Sequence, residues 1–220
     1  MFLAVDTSSS QTGLALYDGA RVVVEVLWPA PRRHTMELAP MVRRALRWAA
    51  VDKPQALAVA TGPGAFSGLR AGMALVKGLA LAWQVPLIGV FTLDVVAAGV
   101  PPVAGQSLVA AVPIGRGRLA AAWYRARGNQ WRVESRAELL TVRQLSRRIQ
   151  EPTQVCGEFT AEERAHLAQN PHVQLGTPAQ CTRRAGILAE LAWQAWQRGH
   201  MDDPASLVPF YVPTQTSFPF

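Results

Sequence analysis

Thr61-Gly62-Pro63-Gly64-Ala65-Phe66-Ser67-Gly68-Leu69-Arg70 stands between an apolar run at 56–60 and a segment rich in Ala, Leu and Gly at 67–83. The run reads as a buried strand and the segment as a helix. The turn between them is built from Gly62, Pro63 and Gly64. Glycine reaches backbone conformations that strain other residues, and proline fixes one torsion. A strand, a glycine turn and a helix start can together aim free backbone N–H groups at an anion. The spacing departs from two familiar phosphate motifs. Gly62, Gly64 and Gly68 give G-x-G-x-x-x-G, one residue longer than the dinucleotide fingerprint, and no acid follows at the expected distance. No Gly-Lys-Ser/Thr closes the stretch as a P-loop. A structural turn and a ligand cradle both fit it.

The helix adds a second feature. Ser67, Ala71, Ala74, Gly78 and Ala82 recur at spacings of four and three and form one stripe of small side chains. Gly68 and Gly72 lie beside it. Gly72 and Gly78 each cost the helix about 1 kcal/mol against Ala. A stripe this small lets another backbone approach closely, either the chain's own sheet or a helix of a second subunit.

Upstream, residues 2–5 form a short apolar strand that ends at Asp6-Thr7-Ser8-Ser9-Ser10. Residues 13–17 and 21–28 read as two more strands around an Asp18-Gly19 hairpin turn. An amphipathic helix is expected at 34–50, with Leu38, Met41, Val42, Ala45, Leu46 and Ala49 on one face and arginines opposite. After the 67–83 helix comes a strand at 87–90, with Thr92 as the cap of a short helix. Pro101 to Gly105 looks like a boundary between residues 1–100 and 101–220. Beyond it, strands are expected at 108–112, 118–126 and 130–138, then a helix at 141–150 and a strand at 154–156. Thr160 and Glu163 form a capping box, His172 starts a last short strand, and 178–198 reads as a long amphipathic helix. The tail from Val208 is extended and proline-rich.

The order β-β-β-α-β-α-β, with an acid ending the first strand, predicts an α/β fold with a mixed sheet. It resembles the start of a ribonuclease-H-like half-domain and of the actin-like (ASKHA) folds. The second half repeats the pattern in abbreviated form, so two related half-domains facing a cleft are expected.

The chain has 220 residues, enough for a sizeable core. Lys77 interrupts the best apolar stretch, and Asp6 follows the N-terminal apolar residues at once. Neither a membrane span nor a signal peptide is expected, and the cytoplasm is the expected compartment. Cys156 and Cys181 form no C-x-x-C and read as small buried hydrophobes, able to pair only if folding brings them together. The net charge of +7 is almost all arginine, since Lys53 and Lys77 are the only lysines. It permits a nucleic acid or an acidic protein as partner. No aromatic-and-basic interleaving points to a single-strand binder.

Several stretches together resemble the TsaB (YeaZ) family. These are Leu3-Ala4-Val5-Asp6-Thr7-Ser8, Arg33-His34-Thr35 with Leu38-Ala39-Pro40, and Gly62 to Arg70 against G-P-G-S-F-T-G-L-R. Lys77-Gly78-Leu79-Ala80 and Gly89-Val90-Phe91-Thr92-Leu93 continue the likeness in order. The resemblance implies an actin-like, non-catalytic subunit that pairs with the catalytic paralogue TsaD. That pair works with the ATPase TsaE to form threonylcarbamoyladenosine beside the anticodon, and tRNA is expected to be met indirectly. It places the partner interface at Ser67, Leu69, Ala71, Ala74, Leu75, Gly78 and Ala82, a surface that would also serve a homodimer. Asp6, Thr7, Ser8, Gly62, Gly64 and Gly68 would form a vestigial nucleotide loop, and no cofactor is expected.

The residues themselves weigh on this. A catalytic paralogue needs two histidines at H-x-x-x-H spacing to hold a metal. His34, His166, His172 and His200 include no such pair, so no metal site is expected. In ATP-using members of the wider fold, an acid placed like Asp6 helps hold phosphate-bound magnesium. Here it could equally form a turn with Ser8 or Ser9. Pro113 replaces the acid usual in the second half, and Pro209-Phe210-Tyr211-Val212-Pro213 lacks the family's arginine. Both departures weaken the rival reading of an independent kinase or ATPase.

Overall fold

Phe2, Leu3, Ala4 and Val5 are all fully buried, so the first strand is covered on both faces. The structure, a computed structural model, describes residues 1–30 and 34–213, without the side chains of His34 and Thr35. The likeness at Arg33-His34-Thr35 and the tail beyond residue 213 therefore lie outside the described residues.

The first half runs β1 (Phe2–Asp6), β2 (Gln11–Tyr17), β3 (Val22–Pro29), α1 (His34–Trp48), β4 (Ala56–Gly62), α2 (Phe66–Trp83), β5 (Leu87–Phe91) and α3 (Thr92–Ala98). Its sheet has the order β3-β2-β1-β4-β5. The hairpins are antiparallel and β1, β4 and β5 are parallel. The second half runs β6 (Ser107–Gly115), β7 (Arg118–Arg127), β8 (Gln130–Val133), β9 (Glu138–Leu140), α4 (Val142–Arg148), β10 (Thr153–Gly157), α5 (Ala161–Leu167), β11 (Val173–Leu175) and α6 (Ala185–Gln197). Its order, β11-β10-β6-β7-β8 with β9 also on β7, repeats the first sheet. The abbreviation falls on the helices: α2 has 18 residues and its counterpart α5 has 7.

Each sheet is packed on two sides. Leu3, Val5, Leu14, Leu16, Leu57 and Val59 meet α1 and α2 on the outer face of the first sheet. Phe2, Ala4, Tyr17 and Ile88 on its inner face meet Leu188, Ala189 and Ala192 of α6. The inner face of the second sheet takes Leu93, Val96 and Ala97 of α3. The last helix of each half thus covers the sheet of the other.

Three local expectations need correction. The strand expected at 130–138 is divided into β8 and β9, because the Glu134 amide bonds back to the Trp123 carbonyl and Ser135 Oγ accepts from the Trp123 amide. The helix expected from 178 starts at Ala185: Thr177 and Gln180 close their own turn, and the chain is extended at Arg184. Thr92 caps nothing in α3; its hydroxyl accepts from the Gly62 amide at 3.0 Å. The Thr141–Gln144 and Thr160–Glu163 capping boxes are both formed.

Candidate functional site

Asp6 ends β1 and is 2 % exposed. One carboxylate oxygen accepts from the amide and hydroxyl of Ser8. The other accepts from Arg183 Nε at 2.9 Å. Arg183 comes from the extended segment before α6 and is 4 % exposed. Its remaining nitrogens donate to Glu158, between β10 and α5, and to Ser9 Oγ at 3.1 Å. One guanidinium therefore joins the first half to the second. Burial pushes the Asp6 carboxyl up, but the Arg183 charge and the bonds from Arg183 and Ser8 outweigh it and hold it below the ordinary value. Burial works against the Arg183 cation in the same way, and Asp6 and Glu158 more than offset it.

The glycine turn is equally occupied. A Cβ on Gly64 would stand 2.2 Å from the Ser8 carbonyl oxygen, and one on Gly72 would stand 2.2 Å from Thr7 Oγ1. Thr7 Oγ1 donates to the Gly68 carbonyl at 2.7 Å, and the Ala65 amide donates to the Ser8 carbonyl at 2.6 Å. Gly62, at φ +105°, lies under the Phe210 carbonyl, and the Phe210 amide bonds to Thr61. Thr7 and Ser8 thus lie against Gly64, Gly68 and Gly72, Asp6 is bonded to Ser8 and Arg183, and Gly62 meets Phe210 and Leu69 instead. Here the glycines serve close backbone approach.

The stripe on α2 has the opposite character. Ser67, Ala74, Gly78 and Ala82 are exposed, with Ala71 and Leu75 half-buried along the same face. A Cβ on Gly78 would meet nothing within 4 Å. Phe66 is 58 % exposed and Leu81 71 % exposed beside them. Leu69 is a correction: it is fully buried against the sheet and does not belong to this outward face. The sequence period identified the stripe, while the direction of Leu69 depended on tertiary packing.

Between the halves lies a cavity of about 570 Å³, lined by Ser10, Gln11, Pro113, Arg118, Glu158 and Arg164 among others. Cys181 also reaches it. Cys156 and Cys181 are both free and lie in one core, where the Cys156 thiol donates to the Gln180 carbonyl at 3.7 Å. The neighbouring Cys181 and burial hold the Cys156 thiol above its ordinary value, while Cys156 and the Arg164 charge lower that of Cys181. Among the described residues, no three His, Cys, Asp or Glu side chains cluster so as to hold a metal. No helix among them is long and apolar enough to cross a membrane. Sequence reasoning singled out Asp6 but missed Arg183. The only available signal was an Arg pair directly before an apolar helix.

Comparison with known proteins gives a consistent answer. The TsaB protein of Escherichia coli, named for tRNA threonylcarbamoyladenosine biosynthesis, is 37 % identical over 99 residues, covering 44 % of this chain and 42 % of that protein. The chain thus matches less than half the length of that curated relative. YeaZ from Pseudomonas aeruginosa superposes with a TM-score of 0.76 at 26 % identity, covering 96 % of this chain and 99 % of that one. A ROK hexokinase from Thermus thermophilus shares the fold alone, at a TM-score of 0.51 and 13 % identity over 90 % of this chain and 99 % of that one. These likenesses fit the repeated mixed sheets, and the fold is the actin-like α/β fold. The family model for TsaD, tRNA N6-adenosine threonylcarbamoyltransferase, matches residues 29–147, more than half of the sequence. The chain therefore belongs to the TsaD family, and within it its likeness is to the TsaB and YeaZ proteins.

Proposed function

We propose that the chain is a non-catalytic subunit that pairs with a catalytic TsaD-type paralogue in forming threonylcarbamoyladenosine on tRNA. A TsaE-type ATPase would act through the assembled complex. The observation that carries this reading is the Arg183–Asp6 pair. In a phosphate-using member of the fold, the acid ending the first strand must be free to meet a metal-bound phosphate. Here both its oxygens are bonded within the chain, and the adjoining turn is filled by Thr7 and Ser8. The same arrangement counts against an independent kinase or ATPase.

Pairing would use the outward face of α2. Small side chains let two helix backbones approach closely, which turns many weak dispersion contacts into a stable interface. Phe66 and Leu81 would supply the larger apolar anchors at its margins. The subunit would act by holding its paralogue in a competent pair, supplying surface and no reacting group.

The test is light scattering after size exclusion, with the chain alone and mixed with the purified paralogue. A one-to-one complex that carries transferase activity, where neither subunit has it alone, is the expected result. Ala74→Trp should abolish co-elution while the far-ultraviolet circular dichroism stays unchanged, because Ala74 is exposed. Undisturbed co-elution of that variant would refute the α2 assignment. Steady ATP hydrolysis by the chain alone, indifferent to the paralogue, would replace the subunit reading with the kinase-like one.

A further inference from the structure

The largest local excess of positive charge falls in one segment of the chain. Of 22 basic and 15 acidic residues, nine arginines and two glutamates fall within residues 116–148. That segment carries +7 within 33 residues, while residues 21–77 carry +6 over 57 and the rest of the chain −6. In the fold this segment is β7, then β8 and β9 at the edge of the second sheet, and then α4.

The arginines converge there. Arg125 and Arg132 are directly opposite each other on antiparallel β7 and β8. Arg125 and Arg127 stand on the same face of β7 as Trp123, whose ring lies under the Arg148 guanidinium at 5.7 Å. Arg148 ends α4, with Arg147 beside it and Arg143 one turn before. Arg125 is neutralised by Glu134 and Glu151, and Arg148 by Glu138. Among the described residues, no ion pair involves Arg127, Arg132, Arg136, Arg143 or Arg147, and all five are exposed.

One of these placements works against folding. Arg143 and Arg147 are like charges at i and i+4 on a short helix, which is unfavourable. Unpaired cations gathered at a cost to the fold suit a polyanion that neutralises them on binding.

We propose that this β8–β9–α4 edge is a direct docking surface for the phosphate backbone of RNA. The planar guanidinium fork matches phosphate, and contacts of this kind position an RNA without reading its sequence. The inference rests on the subunit reading for the identity of the RNA, a tRNA. It adds that this chain touches the tRNA itself.

The test uses the full chain and a labelled full-length tRNA transcript, titrated by fluorescence anisotropy at several salt concentrations. Arg127→Gln, Arg132→Gln and Arg147→Gln are combined in one variant. Arg21→Gln, Lys53→Gln and Arg198→Gln form a control that removes the same charge from exposed positions elsewhere. The edge variant should bind at least about tenfold more weakly at low salt, and the log–log salt slope should fall by about one for each phosphate that is no longer neutralised. The control should leave both quantities unchanged. Equal weakening by both variants would reduce the effect to diffuse net charge and overturn the proposal. So would unaltered binding by the edge variant, or competition by polyglutamate as effective as that by unlabelled tRNA. Co-elution with the paralogue is measured separately on the edge variant. If pairing fails in wild type while RNA binding still maps to this edge, the subunit reading falls and the docking surface stands.

Discussion

Arg183 takes the place of a bound cation from within the chain. It is nearly inaccessible, yet it serves Asp6, Ser9 and Glu158 together. Buried ion pairs contribute little over a well-packed apolar group, but removing one partner strands the other charge. Arg183→Met should therefore destabilise the chain by about 3–5 kcal/mol, read from urea unfolding. Adding Asp6→Asn to that variant should recover part of the loss. The pH dependence sharpens the test. In the wild type the folded Asp6 value lies below its ordinary 3.8, so its contribution is present above 3.8 and is lost as pH falls through the folded value. Without Arg183, burial is opposed only by the bonds from Ser8, so the folded value rises. The stabilisation that Asp6 supplies above its ordinary 3.8 then shrinks, and stability depends less steeply on acid pH at this group. Comparing urea midpoints of the two proteins between about pH 3 and pH 6 reads that flattening. A merely parallel loss at every pH would mean that Arg183 acts through packing alone. Asp6 was legible in the sequence because an acid after an apolar strand is unusual. Arg183 lies 177 residues away. Its neighbour Arg184 is an exposed partner of Glu25, and no local pattern tells the two arginines apart.

At the scale of one element, α2 shows how two faces of small residues take opposite roles. Sequence period gathered Ser67, Ala71, Ala74, Gly78 and Ala82 into a stripe and set Gly68 and Gly72 beside it. It could not say which side meets the sheet. The structure turns Gly68 and Gly72 inward onto Thr7 and leaves Gly78 open. The same substitution should therefore have opposite effects at two positions six residues apart. Gly78→Ala relieves the helix of glycine's conformational freedom and should stabilise the isolated chain by about 1 kcal/mol. Gly72→Ala would drive a methyl into Thr7 and disturb its bond to Gly68. Overpacking of that kind should cost about 1–3 kcal/mol despite the same gain in propensity. Thermal midpoints of the two variants check both signs. A stabilised Gly72→Ala protein would mean that the β1–β2 loop gives way easily and that the turn is not closed. Thr92 makes the same point in reverse. A hydroxyl at a helix start reads as a cap, but here it accepts from the Gly62 amide at the end of β4 instead.

The whole molecule was legible as an order of elements, because three strands followed by alternating helices and strands occur twice in the chain. What the order could not show is that the two repeats exchange their last helices. A boundary near Pro101–Gly105 separates the sheets but not the cores. Trp193 and Trp196 of α6 pack edgewise on Phe2, with ring centres 5.1 and 5.2 Å away, and Trp193 also meets Tyr17. Without α6, the inner face of the first sheet would expose Phe2, Ala4, Tyr17 and Ile88 to water. Without α3, the second sheet would lose Leu93, Val96 and Ala97 in the same way. Each of these side chains is worth about 1.5–3 kcal/mol of burial when large, a sizeable fraction of the whole stability of a domain. Neither half can then unfold while the other stays intact, and the Arg183 link between Asp6 and Glu158 adds to the coupling. The expected outcome is one cooperative transition. In native-state hydrogen exchange, the slowest amides of β1 and of β6 should share a single protection free energy and fall together with added denaturant. A second-sheet core that stays protected after β1 has opened would show that the helix exchange does not couple the halves. In that case the closed acid pocket would belong to a hinge that opens, and Asp6 would become available to a ligand in the open state.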